Sequence, residues 1–172
     1  MGSYQPIVEG AKAALREQPE QAHAIFAAST RQIDGLVSRA GIRDFTLTVD
    51  EPEQLGGTDQ GPNPVELVLA ALGTCQEITY RLYADAMGIP LHGVSVRLEG
   101  HLDLRGFFGM EPEVRAGYGA IEATVVLDSP ASDADLARLK AAVDAHCPVL
   151  DIITNPVPVT LRLERASAAQ VA

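Results

Sequence analysis

The stretch GPNPVELVLAALGTC, residues 61–75, constrains this chain more than any other. Asn63 is a favourable N-cap, Pro64 suits the first helical position, and Glu66 stands where its carboxylate can reach back to the cap. At the far end Gly88 supplies a C-terminal stop, with Pro90 just beyond it. These signals predict one helix from Pro64 to Met87, about 24 residues and some 36 Å long at 1.5 Å per residue. Between Val65 and Cys75 it is apolar almost all round, the mark of a helix covered on most sides. A domain of this size can hardly cover such a helix alone. Burial between a sheet and a partner subunit is the expected arrangement.

The flanks supply the sheet. Residues 5–28 read as helix interrupted by Gly10 and Pro19, with a break expected near the proline. From Thr30 the texture changes to β-branched residues broken by Asp34-Gly35 and Ala40-Gly41, which predicts three strands joined by two hairpin turns. Phe45, Leu47 and Val49 alternate with polar residues, as in a strand with one buried face. After the long helix come an alternating strand in LHGVSVRLEGHLDL, an excursion RGFFGMEPEVRAGYG, and a second strand AIEATVVLD. The segment SPASDADLARLKAAVDAHC reads as a helix capped by Ser132, with Leu136, Leu139, Val143 and Cys147 on one stripe. NPVPVTLRLERA closes the chain as a further strand. The chain thus divides into an N-terminal helical extension, residues 1–28, and one α+β domain with mainly antiparallel sheet, residues 29–172.

Composition narrows the function. The formal net charge is −10, and the basic residues form no run, which argues against nucleic acid and anionic membrane surfaces as partners. No apolar stretch reaches the roughly 18 to 20 residues of a membrane span. The polar, acid-containing N-terminus does not read as a signal peptide, and two cysteines 72 positions apart do not suggest a secreted disulfide framework. A cytoplasmic protein is expected. His23, His92 and His101 lack metal-ligand spacing, so neither a metal nor a cofactor is anticipated.

Two stretches, LGGTDQGPNPVELVLAALGTC and AHCPVLDIITNPVPVTLRL, together resemble the OsmC/Ohr family of osmotically induced and organic hydroperoxide resistance proteins. The resemblance covers roughly residues 29 to 165 and sets both cysteines where that family has its pair. It implies an intertwined homodimer, with antiparallel sheets wrapped around two long central helices. It also implies reduction of organic hydroperoxides. The cysteine matching Cys75 attacks the peroxide and becomes a sulfenic acid. The one matching Cys147 condenses with it to a disulfide, and a dithiol such as dihydrolipoamide restores both. Family peroxidases carry a glutamate directly after the NP pair and an arginine in the first inter-strand loop. Here Val65 follows Pro64, the loop reads IDGLV, and Arg31 and Arg39 flank it. In wording the chain is closer to the broad OsmC-like branch.

Helix geometry separates the two thiols. At 100° per residue Cys75 shares its face with Val68, Ala71, Leu72, Ile78, Thr79 and Leu82, whereas Glu66 and Glu77 lie on the opposite side. Cys75 also lies about three turns from the helix start, beyond the reach of the dipole. A thiolate there needs a cation from elsewhere; strands one to three or a partner chain are the sources, with Arg39 the favoured residue. Cys147 would be the N-cap of a turn begun by Pro148, where backbone N–H groups favour a thiolate, and His146 would add charge if it folds inward. Phe107 and Phe108 are either a loop folded on the core or a lid bordering the thiol pocket. Three readings follow: a thiol peroxidase for organic hydroperoxides, a non-catalytic dimer binding a small apolar ligand, or a structural stress protein. Only the first requires the two Cα atoms within about 7 Å of each other. It ranks first because both cysteines are in place.

Overall fold

The computed structural model describes residues 3–165. Helix α1 (Gln5–Glu17) ends where the proline break is expected and gives way to a 3-10 turn at Pro19–Ala22. None of its side chains is buried. Its tie to the rest of the chain is Asp85, whose carboxylate accepts from the Gln5 backbone N–H at 2.6 Å and the Ser3 hydroxyl at 2.9 Å.

Strands β1 (Ser29–Asp34), β2 (Val37–Ile42) and β3 (Phe45–Val49) form an antiparallel meander. The first turn falls at Gly35, in the left-handed region with φ of 51°, as expected. The second lies at Arg43–Asp44 rather than at Ala40–Gly41, and Gly41 is inside β2, opposite Ser29 and Thr46. Arg43 adopts φ of 54°, and its guanidinium lies 5.1 Å from the centre of the Phe45 ring, a cation–π contact that offsets the backbone cost.

The loop from Asp50 to Asn63 delivers the chain to helix α2 (Pro64–Ala86). Asp50 is buried and organises this loop. Its carboxylate accepts from the backbone N–H groups of Glu51 (2.8 Å), Thr58 (3.0 Å) and Gln60 (3.1 Å) and from the Thr58 hydroxyl (2.7 Å). The expected capping box is present: Glu66 N–H donates to Asn63 Oδ1 at 2.9 Å, and Asn63 N–H donates to Glu66 Oε2 at 2.8 Å.

Strands β4 (Gly93–Leu102) and β5 (Tyr118–Asp128) pair antiparallel, linked by the single turn α3 (Leu104–Phe107) and a loop. Helices α4 (Asp133–His146) and α5 (Pro148–Thr154) follow. Helix α2 packs against β4, α4 and α5. It comes close to the sheet at Gly73, where a Cβ would stand 2.9 Å from Leu98 Cδ1. The core gathers around the second half of α2: Tyr80, Ala84, Ile89 and Leu91 meet Leu139 and Val143 of α4.

The closing strand expected at NPVPVTLRLERA is absent between Asn155 and Arg165. A strand needs a neighbour for its N–H and C=O groups, and among the described residues no strand pairs with this segment. Val157, Val159, Leu161 and Leu163 are all exposed. So is the whole of β1. The chain exposes 13052 Å² in total, against about 8,000 Å² for a compact monomer of this length.

Hydrogen bonding, led by the Thr58 hydroxyl, holds the Asp50 pKa down to about 2 from an ordinary 3.8. A depressed carboxyl pKa adds stability that is complete above the unfolded value and is lost as pH falls through the folded one. Asp50→Asn is therefore expected to lower the melting temperature by roughly 5 °C at pH 7. In thermal melts the gap to the wild type should close as the pH drops from 5 toward 2; a constant gap would show that the carboxylate charge is not what matters.

Candidate active site

The two cysteines, far apart in sequence, meet between α2 and the junction of α4 and α5. Cys147 Sγ lies 3.3 Å from Cys75 Sγ, and both are free thiols. The stripe expected on α4 explains this placement. Leu139 and Val143 are fully buried against α2, and Cys147, one turn on, is carried to the same interface and is itself buried. There the helix ends, with Cys147 N–H donating to Val143 C=O at 2.9 Å. Pro148 then starts α5, so Cys147 is both the C-cap of one helix and the N-cap of the next.

The expected benefit of that N-cap goes to the other thiol. The Cys147 side chain makes no capping hydrogen bond. Instead the Val149 backbone N–H, in the first turn of α5, acts on Cys75 and lowers its pKa, which favours its thiolate. This contact was not legible in the sequence, because it depends on how α5 lies across α2. Thr79, whose hydroxyl donates to Cys75 C=O at 2.7 Å, also favours the thiolate. Burial outweighs both and pushes the Cys75 pKa up, and Cys147 adds to the rise.

No cation is among the described groups acting on Cys75. His146 does not fold inward: its ring turns outward, packs 5.1 Å from the Tyr83 ring and bonds through Nδ1 to Ala142 C=O at 2.8 Å. Glu66 is occupied by the cap of α2. Arg39 sits on β2 directly opposite Arg31, both exposed, and neither has a carboxylate partner within 4.0 Å among the described residues. Like charges directly across a strand pair repel, so this pair is suited to an anionic neighbour.

Two cavities flank α2. One, of about 380 Å³, is lined by Val68, Leu72, Tyr118, Leu150, Ile153 and Arg115, among others. Val68 and Leu72 precede Cys75 by two turns and one turn on the same face, and Leu150 follows Cys147 by three residues, although neither cysteine itself lines the cavity. The other, of about 320 Å³, lies near the start of α2 and is lined by Val65, Glu66, Glu51, Leu55, Tyr118 and Phe107, among others. Phe107 thus borders a cavity about three turns from Cys75, not the thiols, and Phe108 lines neither cavity. The reason is that α3 folds the RGFFG segment toward the start of α2.

The OsmC-like protein family model matches residues 57–162. The chain belongs to the OsmC-like family. Its fold is also that of solved relatives. An OsmC-like protein from Mycoplasma pneumoniae superposes with a TM-score of 0.68 at 18% identity, over 77% of this chain and 89% of the other. An organic hydroperoxide resistance protein OsmC from Legionella pneumophila gives 0.60 at 22% identity, over 77% and 93%. One from Elizabethkingia anophelis, with thiocyanate bound, gives 0.57 at 16%, over 77% and 91%. No curated protein matches the sequence significantly. The α+β fold with antiparallel sheets expected of an OsmC-like chain is present. The match begins beyond β3, so the first three strands and α1 lie outside the part that the family model covers. Among the described residues no helix is long and apolar enough to cross a membrane.

A sulfur separation of 3.3 Å needs little movement to become a bond. Diamide is expected to consume both thiols and leave one intramolecular Cys75–Cys147 disulfide, read by thiol titration and peptide mapping. Two free thiols after oxidation of the folded protein, or bridges only between chains, would contradict the geometry.

Proposed function

We propose that this OsmC-like protein is a thiol peroxidase that reduces organic hydroperoxides through Cys75 and Cys147. The observation that carries the reading is the approach of the two sulfurs to 3.3 Å between elements otherwise unconnected in sequence. Cys75 thiolate attacks the terminal oxygen of the hydroperoxide. The O–O bond breaks, the organic fragment leaves as an alcohol after gaining a proton, and Cys75 becomes a sulfenic acid. Cys147 sulfur then attacks the Cys75 sulfur, water departs, and a disulfide forms. An external dithiol of the dihydrolipoamide type returns both to thiols by exchange.

The reading includes a homodimer. One protomer leaves β1, Val157 to Leu163, and Val68 and Ile78 of α2 in water. A second copy is the natural cover, since antiparallel strands can pair with their equals. In such a dimer the three-stranded sheet of one copy lies against the other, and Arg39 supplies the charge that Cys75 lacks. A cytoplasmic setting fits two free thiols.

A second reading has its own support. Burial raises the Cys75 pKa, and the neighbouring cavity is walled by Val68, Leu72, Leu150 and Ile153, as in a non-catalytic dimer that holds a small apolar ligand.

The cysteine variants separate these. With cumene hydroperoxide and a dithiol reductant, Cys75→Ser is expected to abolish turnover. Cys147→Ser is expected to reduce one equivalent of peroxide and to leave a sulfenic acid at Cys75 that a dimedone-type probe labels. Arg39→Ala should slow the first step roughly tenfold, with partial recovery in Arg39→Lys. Labelling at Cys147 alone would make Cys75 a core-filling residue, and no labelling at either site would favour the apolar-ligand reading.

A further inference from the structure

The two cavities along α2 share a wall. Tyr118 lines both, and no other residue does. Its position is fixed from behind. Tyr118 opens β5 and pairs with Leu102, and its ring is seated against Gly100 of β4. A Cβ at Gly100 would stand 2.4 Å from Tyr118 Cε1, 2.7 Å from Cζ and 2.8 Å from Cδ1, so only glycine lets the ring lie there. On one side of the ring are Val65, Leu55 and Phe107 with the carboxylates of Glu51 and Glu66; on the other are Val68, Leu72 and Leu150 with Arg115.

We propose that Tyr118 partitions a single apolar groove along α2 and so sets the size of the hydrophobic group admitted beside Cys75. The ligand class is an alkyl or aryl chain without charge. Small groups fill the chamber of about 380 Å³, and longer ones are turned back at the ring. Removing the ring joins this chamber to the one of about 320 Å³. The phenol is partly desolvated and stands near the Glu66 carboxylate, and both effects raise its pKa, so the divider stays uncharged around neutral pH. Gly100 is the second half of the device, because it gives the ring its seat.

Only the kinetic half of the test rests on the peroxidase reading. Tyr118→Ala, with Tyr118→Val as a variant better suited to a strand, should raise the ratio of kcat/KM for cumene hydroperoxide over tert-butyl hydroperoxide roughly fivefold. Tyr118→Phe keeps the ring and should keep the ratio within about twofold. The second readout needs no turnover. In ligand-observed NMR titration with 1-octanol, the affinity of the Ala and Val variants should rise roughly fourfold over the parent, about what one more buried methylene contributes. Tighter octanol binding with no peroxide turnover in any form would leave the partition standing and sink the peroxidase reading. Octanol affinity unchanged in the variants, or no octanol binding in any form, would overturn the partition.

Discussion

Burial of α2 is the constraint on which the rest of this structure depends. A 23-residue helix with apolar residues on nearly every side must find cover all round, and one protomer covers only part of it. Its second half is closed by α4 and by the β4–β5 sheet, where Tyr80, Ala84, Leu139 and Val143 pack without solvent contact. Its first half is flanked by cavities and Val68 there faces water, as does Ile78 just beyond Cys75. Cys75 stands at the boundary between these halves. The same packing that seats Leu139 and Val143 brings Cys147 to it, so the thiol pair is a consequence of how α4 closes on α2.

That placement fixes the electrostatics of the pair. Burial penalises a thiolate at Cys75 more than one backbone N–H and one hydroxyl favour it, and the net effect within the protomer is a raised pKa. A thiol must ionise to attack a peroxide. A cation can tip the balance: Arg115 lines the cavity beside Val68 and Leu72, and on the exposed β1–β3 sheet Arg31 and Arg39 face each other with no carboxylate partner within 4.0 Å among the described residues. In the proposed dimer, covering α2 and activating Cys75 would be one event.

Much of this was legible in the sequence, wherever local rules decide. The Asn63–Glu66 capping box, the Pro64 start, the stop near Gly88 and the stripe Leu139–Val143–Cys147 all follow from short-range chemistry, and each is in place. The errors lie where distant parts of the chain decide. The second hairpin turn moved from Ala40–Gly41 to Arg43–Asp44 because the pairing of Ile42 with Phe45 sets the register. The strand expected after Asn155 has no paired neighbour among the described residues. The Val149 N–H serving Cys75, and the Tyr118 ring seated on Gly100, depend on a helix crossing and a strand register that no local pattern encodes. The glycine-flanked Phe107–Phe108 pair fits a lid at the thiols as well as a loop on the core, whereas α3 carries Phe107 to the start of α2.

The claim at the centre of this account is that a second copy completes both the fold and the site. The direct measurement is sedimentation velocity at low micromolar concentration, with circular dichroism on the same sample. The account predicts a single species of twice the 18.2 kDa chain mass that unfolds and dissociates in one transition. A folded species of one chain mass at that concentration, with its helix content intact, would contradict it.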